Sequence, residues 1–159
     1  MFRIAARIIV TPTIASKLSA GMKGIFMSTT PVRSMLIVVE DDDGVRVLVE
    51  ELLLDRGYDV ITAQTGDEGL DRIRHEPRLS LVITDIRMPG IDGWELARRA
   101  MEMRTDLKVL YITGYPGEKR PDDAPEGPLL RKPWRADEFY RCLEQLVGSD
   151  NLRRLDPRP

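Results

Sequence analysis

Apolar and polar positions alternate in blocks from residue 35 to residue 147. Met35–Val39 is a short, continuously apolar run, as expected for a strand buried on both faces. From Asp42 to Arg56 the apolar residues fall at 45, 48, 49, 52 and 53, which is helical spacing, and Gly57 follows as a C-cap. Tyr58–Thr62 reads as a second strand. Thr65-Gly-Asp-Glu68 has the form of a capping box and opens a helix to about His75, which Pro77 ends. Leu79–Thr84 is a third strand, and Asp92-x-x-Glu95 a second capping box. The helix it opens repeats Leu96, Ala97, Ala100 and Met101 on one face. Leu107–Ile112 and the short Pro128–Arg131 are further strands, and Phe139, Cys142, Leu143, Leu146 and Val147 make the stripe of a last helix. Five strands alternating with helices imply an α/β fold, a parallel sheet with right-handed crossovers.

One stretch breaks the alternation. Residues 114–128 hold four prolines and three glycines. An interior proline costs a helix ~3 kcal/mol or more, so at most one helical turn is expected there, around Lys119–Ala124. The 159 residues suit one domain plus tails. Residues 1–34 carry five Lys or Arg and no Asp or Glu, leaving 19 basic and 26 acidic side chains in the rest, a net of −7. The expected organisation is therefore a leader over 1–34, a folded domain over 35–147 and a flexible tail over 148–159. The leader reads as disordered or as an extended start, since Met22, Met27 and Met35 all offer alternatives. An acidic domain is a poor binder of nucleic-acid backbones. The lone Cys142 excludes an intrachain disulfide and fits a reducing cytoplasm. No apolar run approaches the ~20 residues that span a bilayer.

The candidate chemistry sits where strands end. Asp85 closes the third apolar strand, ahead of Met88-Pro89-Gly90 and Asp92-Gly93. Open α/β sheets carry their sites at such carboxyl ends. Glu40-Asp41 follows the first strand, Thr113 the fourth and Lys132-Pro133 the fifth. Each has a bland reading: a turn Asp, an acidic helix N-terminus, a strand-end Thr, a Lys-Pro loop. Taken together from about Met35 to Val147, they resemble the receiver domain of bacterial two-component response regulators.

That resemblance implies a doubly wound, flavodoxin-like five-stranded sheet of order 2-1-3-4-5, with the fourth helix short or missing here. It implies Asp85 as phosphoacceptor, Lys132 as the cation on the phosphoryl group and Thr113 as a hydroxyl donor to it. It implies Mg²⁺, held directly by Asp41 and Asp85 with the backbone carbonyl of Arg87, and by Glu40 through water. It implies a cis peptide between Lys132 and Pro133. Arg87 and Tyr115 fall where the family flanks the path of hydrolytic water, and their size implies a long-lived phosphoryl group. Glu40 stands where the family more often has Asp, and Leu129 where it has an aromatic that swings inward on activation. The expected switch is therefore order–disorder in 114–128 rather than a ring rotation.

Eleven residues follow Gly148, so the expectation is a single-domain, cytoplasmic response regulator. It would take its phosphoryl group from a histidine kinase or histidine phosphotransfer protein and signal by binding an unidentified protein. No nucleic-acid or membrane partner is expected. It would be no enzyme beyond its own phosphorylation and dephosphorylation. The rivals are a phosphate sink for a kinase and a pseudo-receiver that binds a partner without phosphorylation.

Overall fold

Each apolar run becomes a strand and each periodic stretch a helix. The computed structural model describes residues 34–148. The expected leader and tail, apart from Ser34 and Gly148 at their edges, lie outside the described residues. The order is β1 (Met35–Val39), α1 (Asp43–Asp55), β2 (Asp59–Ala63), α2 (Gly66–His75), β3 (Leu79–Asp85), α3 (Gly93–Met103), β4 (Lys108–Thr113), β5 (Leu129–Arg131) and α4 (Ala136–Val147). The strands form one parallel sheet in the order β2-β1-β3-β4-β5.

The sheet divides the core. On one face Ile37, Val39, Val82 and Val109 pack with Ile73, Leu96 and Ala97 from α2 and α3. On the other, Leu36, Val38, Leu81 and Ile83 pack with Val49, Leu53, Phe139 and Leu143 from α1 and α4. Central strands are thus apolar on both sides, which is why they read as runs rather than alternations. Trp134 stacks on Phe139, with ring centroids 5.4 Å apart, at the start of α4.

Local signals are met with instructive differences. Gly57 does adopt the left-handed backbone after α1, at φ +76°. Thr65 and Asp92 cap their helices, accepting from Glu68 N at 3.2 Å and Glu95 N at 2.8 Å. The returning half of each capping box is absent. Glu68 instead accepts from Gln64 N, and Glu95 is taken by Arg98 and Arg99 on its own helix face. On α1, Leu48 faces outward at 46% exposure, with Val47 and Leu54 beside it, while Arg46 takes an inward place. No helix among the described residues is long and apolar enough to cross a membrane.

Residues 114–128 form turns and no helix, as their prolines require. Their far end is seated on the sheet. The Tyr111 hydroxyl donates to Pro125 O at 2.9 Å, and Gly127 lies directly on β4. A Cβ at Gly127 would stand 2.2 Å from Val109 O and 3.3 Å from the Tyr111 ring. Gly127→Ala is therefore expected to cost about 1–3 kcal/mol, the range for forcing atoms into a filled site. Urea unfolding checks this, and an unchanged midpoint would show that 125–128 does not seat against β4.

Candidate functional site

The parallel sheet puts the carboxyl ends of β1, β3, β4 and β5 on one rim, and the expected residues arrive there together. Glu40 follows β1 and is 2% exposed; Asp85 ends β3 and is 7% exposed. Asp41, beside Glu40, faces solvent. Carboxylate oxygens of Glu40, Asp41 and Asp85 all lie within 4.8 Å of one another. Thr113 ends β4 and is buried, its Oγ1 accepting from Tyr115 N at 3.1 Å. The bond leaves the threonine proton free to be donated elsewhere.

Lys132 follows β5. Its backbone N–H donates to Thr113 O at 2.7 Å, and its peptide with Pro133 is cis. From that anchor its ammonium crosses the rim. It donates to Glu40 Oε2 at 2.8 Å and Oε1 at 3.0 Å, and stands 3.6 Å from Asp85 Oδ2. The lysine therefore rests mainly on Glu40, with Asp85 as its second partner. Asp85 Oδ1 is held differently, accepting from Ile86 N at 2.9 Å. One oxygen is fixed by the backbone and the other looks into the cluster.

The backbone around Asp85 is closely packed. Gly93 N donates to Ile86 O at 2.9 Å, and a Cβ on Gly93 would meet Asp85 O at 2.2 Å. Only glycine lets α3 begin this close to the strand end. Gly114 serves access more than packing, since an added Cβ would meet only Lys132 Cδ, at 3.9 Å.

Burial raises the Asp85 carboxyl above its ordinary pKa; Lys132 and the Ile86 N–H pull it partly back, while Asp41 pushes it up. Glu40 is also raised by burial and by Asp85, against the opposing Lys132 hydrogen bond. The rim is thus rich in negative charge and short of cations. A cluster of hard oxygen donors with one solvent-facing member fits a small divalent ion such as Mg²⁺. Glu40, already engaged by Lys132, fits an indirect role better than a direct one.

Two groups around the site escaped the sequence reading. Arg46 is 8% exposed and donates to Glu40 O at 2.9 Å while pairing with Asp43, which fixes the β1–α1 turn that presents the acids. Its signal was present, because positions 46, 49 and 53 share one helix face. The second is Glu118, in the irregular segment. Its side chain is 8% exposed and accepts from Arg87 Nε at 2.8 Å and from Trp94 Nε1 at 3.4 Å. No local pattern marks it, since Glu118-Lys119-Arg120 reads as a solvated charge run. Arg87 also lies over the exposed Tyr115 ring, 5.1 Å from its centroid.

Residues 36–126 match the family described as the response regulator receiver domain. A receiver protein of that kind, CpdR of Brucella abortus, is 37% identical over 115 residues, covering 70% of this chain and 95% of CpdR. AfsQ1, a transcriptional regulatory protein of Streptomyces coelicolor, is 42% identical over 79 residues, and the match covers 49% of this chain but only 34% of AfsQ1. The structure of TrrA, a response regulator of Thermotoga maritima solved with Mg(2+)-BeF, superposes with TM-score 0.65 at 30% identity, covering 72% of this chain and 99% of TrrA.

Raised carboxyl pKa values make a stability prediction. Glu40 and Asp85 bind protons more tightly folded than unfolded. Their contribution to stability is full below the unfolded carboxylate range and is lost as pH rises through the raised folded values. In EDTA, Asp85→Asn is expected to resist urea better than the parent at pH 8, the gap closing toward pH 4. A variant less stable at every pH would contradict a charge-strained rim.

Proposed function

The chain belongs to the response regulator receiver family, and on that premise we propose that it is a phosphorylatable switch with Asp85 as phosphoacceptor. The donor is a histidine kinase or a histidine phosphotransfer protein, and the output is a protein–protein contact. The observation that supports this most is the convergence of Glu40, Asp41, Asp85, Thr113 and Lys132 from four strand ends. A chance strand-end Asp would not gather an ammonium, a buried hydroxyl and two further carboxylates.

The chemistry follows from which atoms are occupied. Asp85 Oδ1 is tied to Ile86 N, so Oδ2 is the attacking oxygen. It forms a bond to phosphorus as the P–N bond of the donor phosphohistidine breaks. The bonding electron pair stays on the imidazole nitrogen, and no oxidation or reduction occurs. Catalysis of such a transfer is mostly positioning and charge compensation. Lys132, already 3.6 Å from Oδ2, shifts its ammonium from Glu40 toward the phosphoryl oxygens. Thr113 donates its free hydroxyl proton to another of them. Asp41 and Asp85, with the Arg87 carbonyl and with Glu40 acting indirectly, would hold Mg²⁺. When bound, that ion supplies the positive charge that lets three carboxylates and a phosphoryl group share one rim.

Arg87 and Tyr115 bear on which kind of switch this is. The two side chains meet, with the guanidinium 5.1 Å from the ring centroid, at positions that in the family flank the path of hydrolytic water. Their bulk favours a messenger with a persistent phosphoryl group over a sink that drains a kinase. The chain turns over nothing but its own phosphoryl group, and its setting is the cytoplasm.

Intact mass after incubation with acetyl phosphate and Mg²⁺ tests the reading. One added phosphoryl group is expected, lost with Asp85→Asn and with EDTA. No addition in the parent, from acetyl phosphate or from a kinase, would mark a pseudo-receiver. Decay of the added mass should quicken in an Arg87→Ala, Tyr115→Ala double variant; an unchanged fast decay would point to the sink.

A further inference from the structure

We propose that Arg87 is a second phosphoryl-binding cation and that Glu118 is its internal competitor, so that phosphorylation of Asp85 unlatches residues 115–121. The proposal rests on Asp85 being the phosphoacceptor and goes beyond it, because it assigns the resting partner of Arg87 and the part of the chain that moves.

Glu118 is an unusual residue for an irregular, proline-rich segment. Its neighbours Lys119 and Arg120 are exposed, yet its own carboxylate is sequestered. A sequestered carboxylate needs compensating donors. It has two, Arg87 Nε at 2.8 Å and Trp94 Nε1 at 3.4 Å. Arg87 is the only cation among them, and the geometry is asymmetric. Glu118 is buried at the pair, whereas the Arg87 side chain is 63% exposed. Among the described residues Arg87 makes no other ion pair or hydrogen bond. The carboxylate depends on the arginine, and the arginine is free to leave.

Arg87 is also well placed to leave toward Asp85. It lies two residues after Asp85, in the turn that opens from β3. Its guanidinium stands over the Tyr115 ring, and the Tyr115 N–H is bonded to Thr113 Oγ1. The guanidinium therefore lies against the residue whose backbone N–H holds the Thr113 hydroxyl oxygen. At rest the cation beside Asp85 is Lys132, 3.6 Å from Oδ2 and shared with Glu40. A phosphoryl group carries more negative charge than a carboxylate and offers several acceptor oxygens in the geometry that suits a guanidinium fork. It outcompetes Glu118 for Arg87.

Glu118 would then be a sequestered charge with only an indole N–H for company, which drives it into water. The segment behind it is anchored unevenly. Ala124 is buried, Tyr111 Oη holds Pro125 O at 2.9 Å, Arg98 pairs with Asp123 at 3.2 Å, and Gly127 is wedged on Val109. Those contacts do not involve Arg87. Release is therefore confined to 115–121, with Trp94 losing its acceptor, while 123–128 stays seated. This is narrower than disorder across the whole of 114–128.

The test uses the full chain carrying Trp134→Phe, so that Trp94 is its sole tryptophan, alone and with Glu118→Gln or Arg87→Met. Each is treated with acetyl phosphate and Mg²⁺ and followed by intact mass, by amide hydrogen exchange and by Trp94 emission. On phosphorylation of the parent, amides of 116–120 should exchange severalfold faster and Trp94 emission shift, with 124–127 unchanged. Both variants should show the faster exchange before any phosphorylation. Their phosphorylation rates should move apart, Glu118→Gln rising severalfold because Arg87 is free and Arg87→Met falling severalfold because it is gone. A purely structural pair would move both rates the same way, which overturns the proposal. So does a parent that gains the phosphoryl mass with 116–120 unchanged. A parent that gains no mass overturns the phosphoacceptor reading itself and this proposal with it.

Discussion

The ammonium of Lys132 is the point on which the site turns. It rises from the end of β5, pinned by its own N–H to Thr113 O, and reaches Glu40 at the end of β1 and Asp85 at the end of β3. One flexible side chain thus closes a rim built from four strands. The closure is needed because two buried carboxylates stand beside each other there: Glu40 is penalised by its burial and by Asp85, and Asp85 by its burial and by Asp41. A single lysine only partly compensates them. Part of the demand for positive charge remains, and a small divalent cation is suited to meet it. The cluster is held at the expense of stability, as expected of grouped buried charges.

The backbone serves that rim at close range. Gly93 lets α3 begin against the Asp85 carbonyl, Ile86 N–H fixes one carboxylate oxygen, and Arg46 holds the turn that carries Glu40. Each contact removes freedom from a group whose position matters to within an ångström. On the far side the missing helix leaves a segment secured by a few polar contacts and a wedged glycine. Such a segment opens more cheaply than a packed helix would. The acidic rim lies beside this segment, and the Arg87–Glu118 pair joins the turn after β3 to it.

Much of this was legible beforehand. The five strands, the helices and the absence of a helix over 114–128 followed from apolar runs, helical spacing and proline chemistry, which are local properties. The site residues were legible because each lies within a residue or two of a strand's carboxyl end, and parallel strands must bring those ends together. Less legible were the ends of interactions. The capping glutamates of α2 and α3 turned to other partners, because a long side chain chooses among whatever donors the fold offers. Leu48 shares the helical spacing of the apolar positions of α1 yet is half exposed, while Arg46 lies inside and serves the Glu40 carbonyl.

By itself the chain determined its element order, the apolar faces of its sheet and the residue types assembled at one rim, since periodicity and strand-end position act over a few residues. Tertiary structure alone decided that Lys132 would rest on Glu40 more closely than on Asp85, and that Glu118 would be buried against Arg87 and Trp94. Those pairings join residues 92, 31 and 24 positions apart in the chain. Which charge meets which over such separations depends on how strand ends and loops converge in space, and no local pattern encodes that.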